Sequence, residues 1–148
     1  MSTTTLNAIR AHKPCEDGWR KLLKHLGKTS ADDEPLSLLT ILDSNGLDDA
    51  LWCLRAMPEH GRHWRLYAVW CARQVQHLMT DPRSIAALDV AERHANGQAT
   101  DQELDAAGDA ARAAARDVAW DVAWDAARDA QATRLREVCA EIDAQVTT

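Results

Sequence analysis

Apolar positions recur at helical spacing along most of this chain, and no stretch alternates apolar and polar residues at the two-residue period of a half-buried strand. Trp19, Leu22, Leu23 and Leu26 share a helical face that ends at Gly27, where a C-cap glycine belongs, so a helix is predicted over 16–26. Before it, Leu6 and Ile9 seat a short turn ahead of Pro14, and the MSTTT of 1–5 reads as a frayed end. Asp33-Glu34-Pro35 looks like a helix start with Leu36, Leu38, Leu39, Ile41 and Leu42 behind it, closed by the four-residue turn Asp43-Ser44-Asn45-Gly46. Leu47, Ala50, Leu51 and Leu54 predict the next helix, up to Pro58. From His63 to Met79, the positions Leu66, Tyr67, Val69, Trp70, Cys71, Val75 and Leu78 predict a central core helix. Asp81-Pro82 supplies a cap and a first-turn proline for a helix carrying Ile85, Leu88, Ala91 and Ala95 to Asn96-Gly97. Thr100 with Glu103 three residues on is a capping box, and it opens a long C-terminal segment over 101–145. The expected fold is all-α: a single-domain helical bundle over residues 1–148, of about six helices, with a long alanine-rich C-terminal helix.

Within that segment, residues 105–132 repeat in fours: DAAG, DAAR, AAAR, DVAW, DVAW, DAAR, DAQA. Four residues overshoot a helical turn by about 40°, so the aspartates from Asp105 to Asp129 wind through roughly 240° and cannot form one acidic face. The apolar residues behave differently. Trp120, Trp124, Ala127, Leu135, Val138 and Ile142 form one stripe interrupted by Gln131, while Leu104, Ala111, Ala115, Val118 and Val122 lie on the opposite side. The first half of the segment is therefore expected to be enclosed on two sides, with Trp120 and Trp124 as core anchors, and the second half on one side only. Asp109 with Arg112 and Asp125 with Arg128 are spaced as intrahelical ion pairs. Were the tail to project, Leu135, Val138 and Ile142 would offer a seam for a homodimer.

Charge adds an asymmetry. The net −6 arises wholly in the last third, since residues 1–97 hold 12 Lys+Arg and 12 Asp+Glu, against 5 and 11 in residues 98–148. Residues 10–28 carry Arg10, Lys13, Arg20, Lys21, Lys24 and Lys28 against Glu16 and Asp17 alone. A basic head and an acidic tail suggest either an internal complement or an acidic surface offered to a basic partner. The acidic balance argues against direct nucleic-acid binding, which needs a concentrated basic face. A helix-turn-helix reading of residues 35–57 fails for the same reason, because the second helix offers Asp48, Asp49 and a single Arg55 where donors to base edges are needed.

Little in the sequence points to chemistry. Cys15, Cys53, Cys71 and Cys139 form no CxxC pair, which leaves buried free thiols in a reducing compartment as the expectation. His60 and His63 make an HxxH with Cys53 and Glu59 as the nearest further ligands, too few for a metal motif. Nucleophile-elbow, phosphate-loop and HExxH patterns do not occur. The expectation is a protein without enzymatic activity, catalytic residues, cofactor or metal. No apolar run reaches the ~18 residues of a membrane span, and a soluble, cytoplasmic protein is expected.

The stretches PCEDGWRKLLKHLGKTSADDEPLSLLTILDSNGLDDALWCLRAM (Pro14–Met57) and RLYAVWCARQVQHLM (Arg65–Met79) resemble an uncharacterised accessory protein family of tailed phages and prophages. The Ala/Trp/Asp/Arg tetrads at 105–132 are similar to that family's tail and to a helical group of immunity-type proteins. The resemblance implies a phage protein in the cytoplasm of a bacterial host cell and carries no mechanism; the acidic excess confined to residues 98–148 in a chain without a catalytic motif makes the expectation a protein that binds and blocks a host defence protein or complex, as anti-CRISPR proteins do. The candidate contact residues are the tail carboxylates Asp117, Asp121, Asp125, Asp129, Glu137 and Glu141, presented to a site that otherwise holds nucleic acid. Neutralisation of a toxin, or a helical scaffold or dimerisation role, are the alternatives.

Overall fold

The computed structural model describes residues 1–114 and 126–146, the side chains of 111–114 excepted. The fold is all-α. Among the described residues there are eight α-helices: α1 Leu6–Ala11, α2 Glu16–Leu26, α3 Leu38–Asn45, α4 Leu47–Cys53, α5 Gly61–Gln74, α6 Pro82–Ala95, α7 Asp101–Ala114 and α8 Arg128–Gln145. Among the described residues the strand content is a minimal antiparallel pairing of β1, Thr3–Thr4, with β2, Leu36–Ser37. The chain divides into two compact units, one made of residues 1–61 and 135–148 and the other of 62–134.

In the first unit the N-terminus is built in rather than frayed. Ser2 is 1% exposed; its backbone N–H donates to Asp143 Oδ1 at 2.6 Å, and its carbonyl accepts from Leu38 N at 3.0 Å. Thr4 donates its hydroxyl to the Ala56 carbonyl, while Thr3 and Thr4 face Ser37 and Leu36 across the ladder. Small hydroxyl side chains look like a polar tail in a sequence, yet they supply the donors and acceptors that let a strand edge be buried. The same pairing moves the start of α3. Leu36 is held in β2, so Pro35 precedes a strand and not a first helical turn, and Ser37 caps α3 by accepting from Leu39 N. The expected four-residue turn after α3 is also absent: Asp43, Ser44 and Asn45 stay helical, and Gly46 alone, at φ 90°, joins α3 to α4. Helix α4 ends at Cys53 and hands over to 3-10 turns at Leu54–Ala56 and Pro58–His60.

Prediction and structure agree on α2, which runs Glu16–Leu26 with Gly27 at φ 66° accepting the left-handed C-cap geometry. Leu6, Ile9, Leu38, Ile41, Met57, Leu135 and Ile142 are all but fully buried, and each contributes roughly 1.5–3 kcal/mol by leaving water. The buried stripe of α8 contains Gln131, Leu135, Val138, Cys139 and Ile142. The expected dimer seam is thus occupied within the chain, because Leu135, Val138 and Ile142 are 0%, 3% and 2% exposed and lack the free surface a second copy would need.

In the second unit, α5 buries Trp64, Tyr67, Val69, Cys71 and Ala72. It stops at Gln74 and gives way to a 3-10 turn at Gln76–Leu78, short of the Met79 end that periodicity suggested. Its polar face is a row of arginines that tie it to α6. Arg62 donates to Ala95 O and Asn96 Oδ1, and Arg73 to Asp89 and Glu92. Arg65 donates to His94 Nδ1 at 2.9 Å; an arginine cannot accept, so the neutral ring carries its proton on Nε2 and donates it to Asp101 Oδ1 at 2.6 Å. Asp81 caps α6 by accepting from Arg83 N, and the Thr100–Glu103 box closes reciprocally: Glu103 N donates to the Thr100 hydroxyl and Thr100 N to the Glu103 carboxylate. Helix α6 packs on α7. The hydroxyl of Tyr67 donates to Gln131 O at 3.0 Å and joins α5 to the first turns of α8.

Candidate functional site

The tail carboxylates singled out by the sequence divide into two sets. Asp117, Asp121 and Asp125 lie outside the described residues, as do Trp120 and Trp124 and the pairings expected for Arg112 and Asp125. Asp129, Glu137 and Glu141 are described, and all three are exposed on α8. On a wheel at 100° per residue, Glu137 and Glu141 lie about 40° apart, within an exposed arc that also holds Arg136, Ala140 and Ala144. Leu135, Val138, Cys139 and Ile142 occupy the opposite arc. Asp129 stands in the part of α8 that belongs to the second unit, while Glu137 and Glu141 belong to the first.

The basic head does not simply complement this tail. Arg20 pairs with Glu16 one turn earlier on α2, and Lys28 reaches Asp32 and Glu34, each at 2.6 Å. Those two hydrogen bonds raise the Lys28 pKa, and the bond from Lys28 is the main cause of the lowered Asp32 value. Within the first unit an ion pair ties α8 to α3 rather than to the basic head, with Arg136 of α8 as the cation and Asp43 of α3 as the carboxylate.

Three of the four thiols follow the prediction of burial, and one does not. Cys53, Cys71 and Cys139 are buried, whereas Cys15, one residue before α2, is exposed. Burial is the largest influence on all three buried thiols and pushes their pKa up, Cys53 to about 12 with further help from the negative charge of Asp49. At neutral pH these thiols stay protonated and are poor nucleophiles. His60 donates from Nε2 to the Met1 carbonyl at 2.9 Å. Among the described residues no three His, Cys, Asp or Glu side chains converge as a metal ion would need. Among them, too, no helix is long and apolar enough to cross a membrane.

The first unit also contains a partly open cavity of about 100 Å³ between α2, α3 and α4. Ile9, Pro14, Leu22 and Ile41 give it an apolar lining, to which Trp19 and Trp52 also belong. Its polar end is a small network: Asn45 Nδ2 donates to Gly18 O at 2.9 Å and to Asp49 Oδ2 at 2.8 Å. Gly18 permits this approach. A β-carbon there would come within 2.9 Å of Asp49 Oδ2 and 3.1 Å of Cys15 Sγ. The guanidinium of Arg55 lies 4.3 Å from the centroid of the Trp52 ring, and Arg55 Nε donates to Trp52 O.

No protein-family model, curated protein or solved structure matches this chain. Function therefore has to be argued from the side chains themselves. Sequence patterning did not find the cavity, because Trp19 reads as one more apolar position on α2 and Trp52 falls off the apolar repeat of α4. The available signal was Gly18, a residue of low helix propensity in the interior of the predicted helix 16–26.

Proposed function

We propose that this is a phage-encoded inhibitor of a bacterial defence complex, acting in the host cytoplasm by binding and without chemistry, in the manner of anti-CRISPR proteins. The observation that carries the reading is the exposed position of Glu137 and Glu141 on the arc of α8 opposite its buried stripe, within the third of the chain that holds the whole acidic excess. A carboxylate surface of this kind competes for a basic groove built to hold phosphates, and its charge steers association. The raised pKa values of Cys53, Cys71 and Cys139 speak against nucleophilic chemistry at those three thiols. Asp117, Asp121, Asp125 and Asp129 enter the proposal as further contacts in the same acidic tail.

The test is a plaquing assay on isogenic hosts with and without a CRISPR-type defence system, with the protein or its Glu137→Lys/Glu141→Lys variant expressed in the host. Restored plaquing only where the defence system is present, lost in the folded double variant, is expected. Plaquing unchanged by the native protein across the defence systems tried overturns the reading. Rescue of cells from a co-expressed toxin, without any effect on plaquing, also overturns it and favours toxin neutralisation.

A further inference from the structure

We infer that the cavity between α2, α3 and α4 is a binding site for a small quaternary alkylammonium compound. Its size sets the first limit. About 100 Å³ is well below the roughly 300–1,000 Å³ of pockets that take nucleotides or drug-sized ligands, and suits a compact headgroup. Its chemistry sets the second. The polar wall ends in the Asp49 carboxylate, held by Asn45, and the exposed first-turn residues Asp17 and Asp48 add negative charge around the same helix starts, so an anion is disfavoured. A bare ammonium is strongly hydrated and would exchange that water for a mostly apolar lining. An alkylated ammonium is weakly hydrated, buries its methyl groups against Ile9, Leu22 and Ile41, and places its charge beside indole rings and a carboxylate.

Two independent features agree with this assignment. Trp52 already takes a cation on its ring, the Arg55 guanidinium at 4.3 Å, so its π-system is placed to attract positive charge. At the cavity wall the pKa of the Cys53 thiol is raised first by burial and then by the charge of Asp49, with the charge of Arg55 a smaller opposing influence. The lining thus combines two tryptophans with one carboxylate, the residue types of an aromatic cage. Arg20 is paired with Glu16 and Arg55 stacks on Trp52, and no Lys or Arg is among the lining residues.

Choline and its uncharged isostere 3,3-dimethylbutan-1-ol provide the test, titrated into the full chain at fixed ionic strength. The indole N–H signals in nitrogen–proton correlation spectra are assigned to Trp19 and Trp52 by single Trp→Phe variants. Choline is expected to shift both signals saturably, with the isostere at least about tenfold weaker. Asp49→Asn keeps an acceptor for Asn45 and is expected to weaken choline about tenfold while leaving circular dichroism unchanged. The inference is overturned if the isostere binds as well as choline. It is overturned equally if Asp49→Asn binds choline undiminished, or if neither indole shifts at choline concentrations up to about 50 mM. Because this readout involves no phage and no defence complex, it stands or falls separately from the inhibitor reading.

Discussion

Leu135→Ala separates the two roles open to the C-terminal stripe. Leu135 is completely buried on α8, in a set with Val138, Cys139 and Ile142. Truncating it removes three carbon atoms from a filled site, and the cost has two parts: the lost transfer free energy and the void left behind. Buried Leu→Ala changes cost about 2–5 kcal/mol, and complete enclosure places this site in the upper half of that range. For a chain of this size each kcal/mol moves Tm by about 2–4 °C, which gives an expected fall of about 7–20 °C. Urea unfolding monitored by circular dichroism reads the loss directly, with Ala140→Ser, on the exposed arc of the same helix, as a control expected within about 0.5 kcal/mol of the native chain. A midpoint independent of protein concentration, and a monomer mass by light scattering for both proteins, complete the expected result. A loss under about 1 kcal/mol, or a midpoint that rises with concentration, would refute the assignment of this stripe to the chain's own core and restore the dimer seam.

Thiol accessibility follows the same burial pattern: one thiol, Cys15, is expected to react quickly with an aromatic disulfide reagent in the native protein and all four in denaturant, with Cys15→Ser abolishing the fast phase. At pH 8 a thiol with a pKa near 12 is only about one part in ten thousand thiolate, so Cys53 should react through unfolding and not directly. The cap at α6 predicts an acid limb. Arg83 holds the Asp81 carboxyl down to about 2, below its ordinary value of 3.8, so its stabilisation is complete above the unfolded pKa and is lost as pH falls from about 4 through about 2. Asp81→Ala should remove that part of the pH dependence, and an unchanged stability profile below pH 4 would count against the cap. Tyr67→Phe removes the hydroxyl that donates to Gln131 O; a loss of about 0.5–1.5 kcal/mol is expected in chemical denaturation, and a neutral result would show that this bond does not hold α5 to α8.

The helices could be read where local chemistry dictates them. Gly27, Asp81-Pro82 and the Thr100–Glu103 box set their boundaries through the φ angle a residue tolerates or the N–H a side chain accepts, and these are properties of a few neighbouring residues. The errors lie where a distant segment decides. Leu36 left the predicted helix because Thr4 pairs with it, and MSTTT proved ordered because Asp143, 141 residues later, receives Ser2. The seam over Leu135, Val138 and Ile142 was legible as an apolar stripe, yet the stripe alone does not say whether its partner is the same chain or another. The arginines of α5 illustrate the same limit. Arg62, Arg65 and Arg73 look like a solvated face, and only the position of α6 makes them its anchors. Of the candidate contact residues, exposure could be read for Asp129, Glu137 and Glu141 from their spacing relative to the apolar stripe, whereas the cavity depends on three helices meeting and leaves almost no trace in one dimension.

Helix α8 keeps fold and proposed contact on separate arcs, and this decides how the two can be tested. Residues that hold the first unit together face inward as Leu135, Val138 and Ile142, where a missing methylene costs a whole-molecule penalty. Glu137 and Glu141 face outward, where surface charges add little to stability because water and salt screen them. A charge reversal there changes what the surface attracts at little cost to the fold, so a loss of inhibition in that variant reports on binding. The cavity lacks this separation. Asp49 is both its carboxylate and a partner of Asn45, which also reaches Gly18, so only a substitution that preserves the acceptor, Asp49→Asn, divides charge from architecture. The two candidate surfaces of the first unit therefore call for opposite strategies, reversal of charge on α8 and isosteric neutralisation in the cavity.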